Sequence, residues 1–201
     1  IVKEIIKEHA ITGIISDNRL GVRSKKVPSV FITHQLTVLS GKTTWISSKL
    51  HQFFISKFNE CWVPDAEDKP NLTGKLGHLK DSDLDVKYIG VLSRLEKKEL
   101  PIKYDLMVIL SGPEPQRTFL EEKLIEELKN YEEKVVFIKG KIEPKQKKEE
   151  INNVTFYNFM QTEELEKTFN ESKFVLCRSG YTTVMDLAKL EKKAFFIPTP
   201  G

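Results

Sequence analysis

Apolar residues fall along this chain in short runs, separated by stretches with helical spacing. That is the pattern of alternating strands and helices. Val2, Ile5, Ile6 and His9 are spaced as on a helix that His9 ends. Ile11 to Ser16 reads as a short strand with Gly13 inside it, followed at once by the polar triplet Asp17-Asn18-Arg19. Pro28 to Thr33 is the next strand, and His34-Gln35 follows it directly. Two neighbouring strands ending in polar clusters are what a ligand crevice in an open parallel sheet looks like. Thr43 to Phe58 reads as a helix with Ile46, Leu50, Phe53, Phe54 and Phe58 on one side, Trp45 packing, and His51 at the margin as a surface histidine. Cys61 to Val63 is a short strand stopped by Pro64-Asp65. Residues 65–85 are rich in Gly, Pro, Asp and Lys without periodicity and read as a loop. Gly74-Lys75-Leu76-Gly77-His78 lacks the spacing and the terminal Lys-Ser/Thr of a phosphate loop.

Val86 to Leu92 is extended, and the charged run Ser93 to Glu99 suits a linker. A second unit then begins with Tyr104 to Leu110, a strand apolar but for Asp105, of the kind covered on both faces. Ser111-Gly112-Pro113-Glu114-Pro115 is the turn after it. There Gly112 either lets backbone approach a ligand or simply makes a strand-to-helix turn. The next helix runs to about Tyr131, with Leu120, Leu124, Leu128 and Tyr131 in one stripe. Lys134 to Lys139 and Val154 to Tyr157 are strands, and the Lys- and Glu-rich residues 140–150 between them read as a solvated excursion. Thr162 is placed to cap a helix beginning Glu163-Glu164, and Phe174 to Leu176 leads into the last strand-turn-helix. The expected fold is α/β: two Rossmann-like, doubly wound parallel-sheet domains over 1–93 and 94–201, the first incomplete. A chain that starts at Ile1 without a Met and stops at Gly201 in a Pro-rich loop reads as a piece of a longer protein.

Composition narrows the function classes. The 201 residues are 39% hydrophobic and 30% charged, with a net charge of +3 and basic residues read as interleaved with acidic ones. That makes no electrostatic case for nucleic acid, and no clean amphipathic basic helix argues for a membrane surface. Cys61 and Cys177 lie far apart in apolar runs and read as reduced, buried thiols of a cytoplasmic protein. No HxxxH or CxxC pattern offers a metal site.

The chemistry concentrates in Cys177-Arg178-Ser179-Gly180-Tyr181-Thr182-Thr183-Val184-Met185-Asp186 and on through Phe196-Ile197-Pro198-Thr199-Pro200-Gly201. A buried strand, a Ser-Gly turn and a short helix put free backbone N–H groups and small hydroxyls at a helix N-terminus, which is a site for phosphate. At about 100° per residue, Val184, Leu187 and Ala188 face the sheet, while Thr182 and Asp186 fall on the opposite side. Asp186 is then either a carboxylate within reach of a ribose attached to that phosphate or a solvent-exposed residue of a surface helix. Arg178 either neutralises a phosphate or pairs with an acid.

These residues carry a resemblance. Cys-Arg-Ser-Gly, then Thr-Val-x-Asp-Leu-Ala, an apolar strand and a Pro-x-Pro loop are similar to the C-terminal domain of GT-B glycosyltransferases. Within them the stretch resembles family 28, the family of the lipid II-forming N-acetylglucosaminyltransferase. Pro28-Ser29-Val30-Phe31-Ile32-Thr33-His34-Gln35 resembles the family's strand that ends in a His-containing acceptor-side loop, with Thr33 where the family pattern has His and His34 where it has Glu. The family's N-terminal glycine-rich loop and the donor-sugar contacts beyond the Pro-x-Pro loop are missing, so the chain resembles a fragment lacking both ends.

The resemblance implies roles. Ser179, Gly180, Tyr181 and Thr182, with Thr183 and Arg178 nearby, would hold the diphosphate of a UDP-sugar. Asp186 would hold the ribose, Phe159 and Leu165 would lie near the uracil, and Gly112 would border the diphosphate. His34 or Asp17 would be the general base, with Asn18, Arg19 and Gln35 positioning the acceptor. Expected from this are metal-independent sugar transfer without a cofactor, a carbohydrate or lipid-linked acceptor, a role in cell-envelope or surface polysaccharide synthesis, and a cytoplasmic location with peripheral contact at the inner face of the membrane. The alternatives are a UDP-sugar 2-epimerase, which calls for more cleft carboxylates than Asp17 and Asp186, and a non-catalytic nucleotide-sugar-binding module. A nicotinamide enzyme is disfavoured because no GxGxxG follows a predicted strand.

Overall fold

The computed structural model describes residues 1–79 and 83–198. The terminal Thr199-Pro200-Gly201 of the Pro-x-Pro loop lies outside the described residues. The chain divides into two compact units, Ile1–Leu92 and Ser93–Gly201.

In the first unit, helix α1 (Val2–Glu8) precedes four parallel strands paired in sequence order: β1 (Ile14–Asp17), β2 (Ser29–Ile32), β3 (Glu60–Val63) and β4 (Val86–Tyr88). A short 3-10 turn, Gly41–Thr43, leads into α2 (Thr44–Ile55), which connects β2 to β3. Phe31, Leu36, Ile55, Phe58, Cys61 and Val63 form its core.

Helix α2 lies the other way round from an ordinary amphipathic helix. Trp45, Ile46, Leu50, Phe53 and Phe54 are exposed, Trp45 to 72%, so Trp45 does not pack. Ser48 is buried and the half-buried His51 and Gln52 face inward with it. The cause is backbone demand from residues 35–38. Ser48 Oγ accepts from Val38 N–H at 3.0 Å, His51 Nε2 donates to the Gln35 carbonyl at 3.0 Å, and Gln52 Nε2 donates to the Leu36 carbonyl at 3.3 Å. Buried peptide groups need partners, and these polar side chains supply them. His51 is therefore no surface residue; its ring also meets Phe31 edge-on.

The loop after β3 is also built rather than loose. Asp65, fully buried, accepts from the N–H groups of Ala66, Leu72 and Thr73 and from Thr73 Oγ1. His78 stacks on Tyr88 with ring centroids 4.7 Å apart, and Leu76 O accepts from Leu36 and Thr37 N–H. Gly77 is required there, because a Cβ would stand 2.4 Å from Thr73 Oγ1 and 3.1 Å from His34 O.

The second unit holds β5 (Tyr104–Ile109), α3 (Gln116–Leu128), β6 (Val135–Ile138), β7 (Lys148–Ile151), β8 (Val154–Tyr157), α4 (Thr162–Asn170), β9 (Ser172–Arg178), α5 (Tyr181–Leu190) and β10 (Lys193–Ile197). The sheet order is β10-β9-β5-β6-β8-β7, parallel except for β7. Adjacent strand residues feed opposite cores. Met107, Val136, Ile138, Val175 and Cys177 join Leu187 and Leu190 of α5 on one face. Val108, Val135, Phe137 and Phe156 pack with Leu120, Leu124 and Leu128 of α3 on the other. Right-handed crossovers explain this: a chain moving outward from β5 and one returning to β9 must put their helices on opposite faces.

Several local expectations change. Strand β7 stands inside the Lys-rich excursion, an exposed charged edge with no apolar alternation to betray it. Thr162 is the first helical residue of α4, and Gln161 occupies the cap position without a side-chain bond. On α5 the buried residues are Met185, Leu187 and Leu190, while Ala188 is exposed. The charged run after Leu92 is docked, not free: Leu95 is buried in the second unit's core, and Asn170 bonds Lys98 N–H and Glu96 O. Both cysteines are free and buried, which pushes the Cys61 thiol up to about 12 and the Cys177 thiol up to about 11. Among the described residues no helix is long and apolar enough to cross a membrane.

Candidate functional site

In the second unit the chain runs from β5 out to β6 and β8, then returns to the other side of β5 as β9 and β10. The connections therefore diverge between β5 and β9, and an open α/β sheet binds ligands just beyond the strand ends at such a switch point. The turns on either side are Ser111-Gly112 and Ser179-Gly180. They are close, because a Cβ built on Gly112 would lie 2.6 Å from Arg178 Nη1. Gly112 also has φ +105°, a conformation L side chains rarely adopt.

Arg178, the last residue of β9, is only 4% exposed. Its guanidinium donates to Ser111 O at 3.5 Å and Gln116 Oε1 at 3.4 Å, both long contacts to neutral acceptors. Neither acceptor is a carboxylate, so these contacts give the alternative of an Arg178–acid pair no partner among the described residues. A buried guanidinium whose near partners are neutral and distant favours an incoming anion.

Helix α5 begins at Tyr181 with Gly180 as its cap, and no side chain occupies the cap bond. Ser179, Gly180 and Thr182 are exposed, and Tyr181 and Thr183 are half-buried. The helix start thus offers peptide N–H groups and hydroxyls to solvent beside Arg178. Asp186, half-buried, is neither in the core nor on open surface. Its Oδ1 accepts from Ser93 Oγ at 2.6 Å, and Ser93 Oγ in turn accepts from Leu95 N–H at 3.0 Å. Sequence reading missed Ser93, whose separation from Asp186 leaves no local signal. Phe159 follows β8, and Leu165 on α4 packs against the core as a partly buried residue.

In the first unit, β1 and β2 pair in parallel with Asp17 opposite Ile32, so Asp17-Asn18-Arg19 and Thr33-His34-Gln35 leave the sheet side by side. Asn18 takes a left-handed conformation, φ 51°, which Asn tolerates, and its N–H donates to Ile32 O at 3.0 Å. Thr33 Oγ1 donates to Asn18 Oδ1 at 3.4 Å and accepts from Gln35 N–H at 3.1 Å. Asp17, Asn18 and Arg19 are exposed, and His34 and Gln35 are half-buried. Burial lowers the His34 imidazole below its usual range, against the raising effect of the Asp17 charge. The neutral ring is the form that accepts a proton.

A charge asymmetry escaped the overall balance. Between Asp17 and Glu60 no acidic residue occurs, while Arg19, Arg23, Lys25, Lys26, Lys42, Lys49 and Lys57 do. The averaged figure of +3 hides this, and the reading of interleaved charges does not hold for the segment. Lys3, Arg23, Lys25 and Lys26 line a cavity of about 720 Å³ with Leu20 and Phe54.

A switch point in a mostly parallel sheet, in a chain whose other unit is also a parallel sheet, defines a Rossmann-like α/β protein. The architecture resembles the crystal structure of Acinetobacter baumannii MurG, with a TM-score of 0.51 at 14% identity over 99% of this chain and 56% of that one. The chain thus spans little more than half the length of the protein it matches, and at that identity the likeness carries the fold. Residues 114–201, most of the second unit, match the family model of the glycosyltransferase family 28 C-terminal domain. No curated protein matches the chain.

Proposed function

We propose that this chain is part of a metal-independent hexosyltransferase that moves a sugar from a UDP-sugar to a hydroxyl acceptor. The observation that carries the reading is the switch point: buried Arg178 against Gly112, beside the uncapped start of α5. A leaving diphosphate there would be stabilised by the guanidinium, by the N–H groups of Gly180 to Thr182 and by the hydroxyls of Ser179 and Thr183. Asp186 would take the ribose hydroxyls. Phe159 and Leu165 would flank the base. Neutral His34, or Asp17, would accept the acceptor's proton, with Asn18, Arg19 and Gln35 orienting that substrate.

The same proposal includes a carbohydrate or lipid-linked acceptor, cell-envelope or surface polysaccharide synthesis, and a cytoplasmic enzyme touching the inner face of the membrane. What supports membrane contact is the outward side of α2. Trp45, Ile46, Leu50, Phe53 and Phe54 stand exposed between Lys42, Lys49 and Lys57, within the segment that has no acid. An apolar stripe with lysine flanks complements an anionic lipid surface.

The test is a thermal-shift panel on the full-length protein. UDP and UDP-sugars should raise the melting temperature where NAD and ATP do not, and no response to UDP would sink the reading. Donor hydrolysis in the absence of acceptor separates an enzyme from a binding module, which would retain the donor unchanged.

A further inference from the structure

The segment carrying Phe159 is braced from an unexpected direction. Asn158, the residue after β8, is only 6% exposed, and its amide is fully engaged. Oδ1 accepts from Lys147 N–H at 2.7 Å and from Phe159 N–H at 3.0 Å. Nδ2 donates to Lys145 O at 2.9 Å and to Glu143 Oε2 at 3.2 Å. The carbonyl of Asn158 accepts from Lys141 N–H at 2.8 Å. The other side of the Phe159 residue is held as well: its carbonyl accepts from Gln146 Nε2 at 3.0 Å, and Gln146 also bonds the Glu164 carboxylate in the first turn of α4. Both backbone polar groups of Phe159 are thus taken up by Asn158 and Gln146.

The excursion is anchored at its start too. Gly140 has φ +67°, and a Cβ there would sit 2.3 Å from Leu110 O, so the chain leaves β6 pressed on the end of β5. The Lys-rich stretch therefore runs from beside the Ser111-Gly112 turn to the Phe159 peptide. Most of its first half is exposed, as expected of a solvated excursion, but its course is pinned by Asn158 and Gln146. A buried amide with every donor and acceptor used selects one loop shape over its alternatives, because any other shape strands polar groups away from water.

We propose that residues 140–147 are a specificity brace for the nucleobase, with Asn158 and Gln146 as positioning residues. They would fix the course of residues 159–165 past the base while adding nothing to diphosphate binding. The inference rests on the nucleotide-sugar reading above, and it assigns selectivity to residues that touch no substrate.

The experiment compares the affinities of the full-length protein for UDP, GDP and inorganic pyrophosphate. In Asn158→Ala, UDP binding should weaken about tenfold, the preference for UDP over GDP should shrink in proportion, and pyrophosphate affinity should stay within about twofold. Gln146→Ala, at an exposed residue, should show the same pattern at about threefold. A purely structural role would lower the melting temperature and leave the UDP-to-GDP ratio alone. An unchanged ratio in both variants overturns the brace while the nucleotide-sugar reading stands. A wild-type protein that binds pyrophosphate but shows no preference for UDP overturns both.

Discussion

Ser93 Oγ donates to Asp186 Oδ1 across 2.6 Å, joining the first residue of the second unit to the helix that starts at the switch point. The carboxylate is held by one oxygen and is oriented before any ligand arrives. Asp186→Ala should lose about 1.5–3 kcal/mol of UDP binding, the worth of a hydrogen bond to a charged group. Ser93→Ala, which leaves the carboxylate in place but free to turn, should lose less. Calorimetric titration with UDP measures both, and wild-type affinity in Asp186→Ala would remove this residue from the nucleotide site.

His34 sets the expected pH dependence. Burial lowers its pKa, so the neutral base persists below the pH of about 6.5 at which an ordinary histidine is half protonated. Turnover of the full-length enzyme should hold through that pH and decline only further into acid. His34→Ala should cost about 10²–10⁴-fold in kcat. Full turnover in both His34→Ala and Asp17→Ala would discard them as the base.

Asp65 makes a stability prediction. Burial pushes its carboxyl up, but the bonds from Thr73 Oγ1 and from the N–H groups of Leu72, Thr73 and Ala66 outweigh burial and leave the pKa below its ordinary value. A carboxylate depressed in the folded state stabilises fully above its unfolded pKa of about 3.9, and that contribution is lost as pH falls through the folded value. Asp65→Ala strands several donors and should destabilise by about 2–4 kcal/mol in urea melts at pH 7. A change under about 0.5 kcal/mol would mean the loop does not depend on this carboxylate.

The outward stripe of α2 should bind vesicles. With the full-length protein, sedimentation with phosphatidylglycerol-containing vesicles should exceed that with neutral ones and weaken with salt. Replacing Lys42, Lys49 and Lys57 by Glu should abolish it, with thermal stability little changed because these side chains are exposed. Equal sedimentation before and after the replacement would rule out α2 as the contact.

Parts of this were readable in the sequence for clear reasons. Leu106 to Leu110 is an unbroken apolar run because both of its faces are covered, and the helical period alone lifted Asp186 out of the core. The polar ends of β1 and β2 were legible because their residues sit next to apolar runs. The orientation of α2 was not. Periodicity finds an apolar side without saying which way it faces, and the deciding partners were peptide groups at residues 35–38. Asp65, Asn158 and Ser93 act through backbone or distant hydroxyls, which leave no spacing to read. The closeness of Gly112 to Arg178, a residue remote from it in sequence, left no spacing to read either.

Strand β7 has a further effect. Its exposed Lys148, Glu149 and Glu150 end the six-stranded sheet with an antiparallel, charged margin. A seventh strand from another molecule would have to bury those charges to pair there. The hairpin that closes the Lys-rich excursion thus also guards this margin of the sheet against self-association, so replacing Lys148, Glu149 and Glu150 together by uncharged residues should cost solubility before it costs fold.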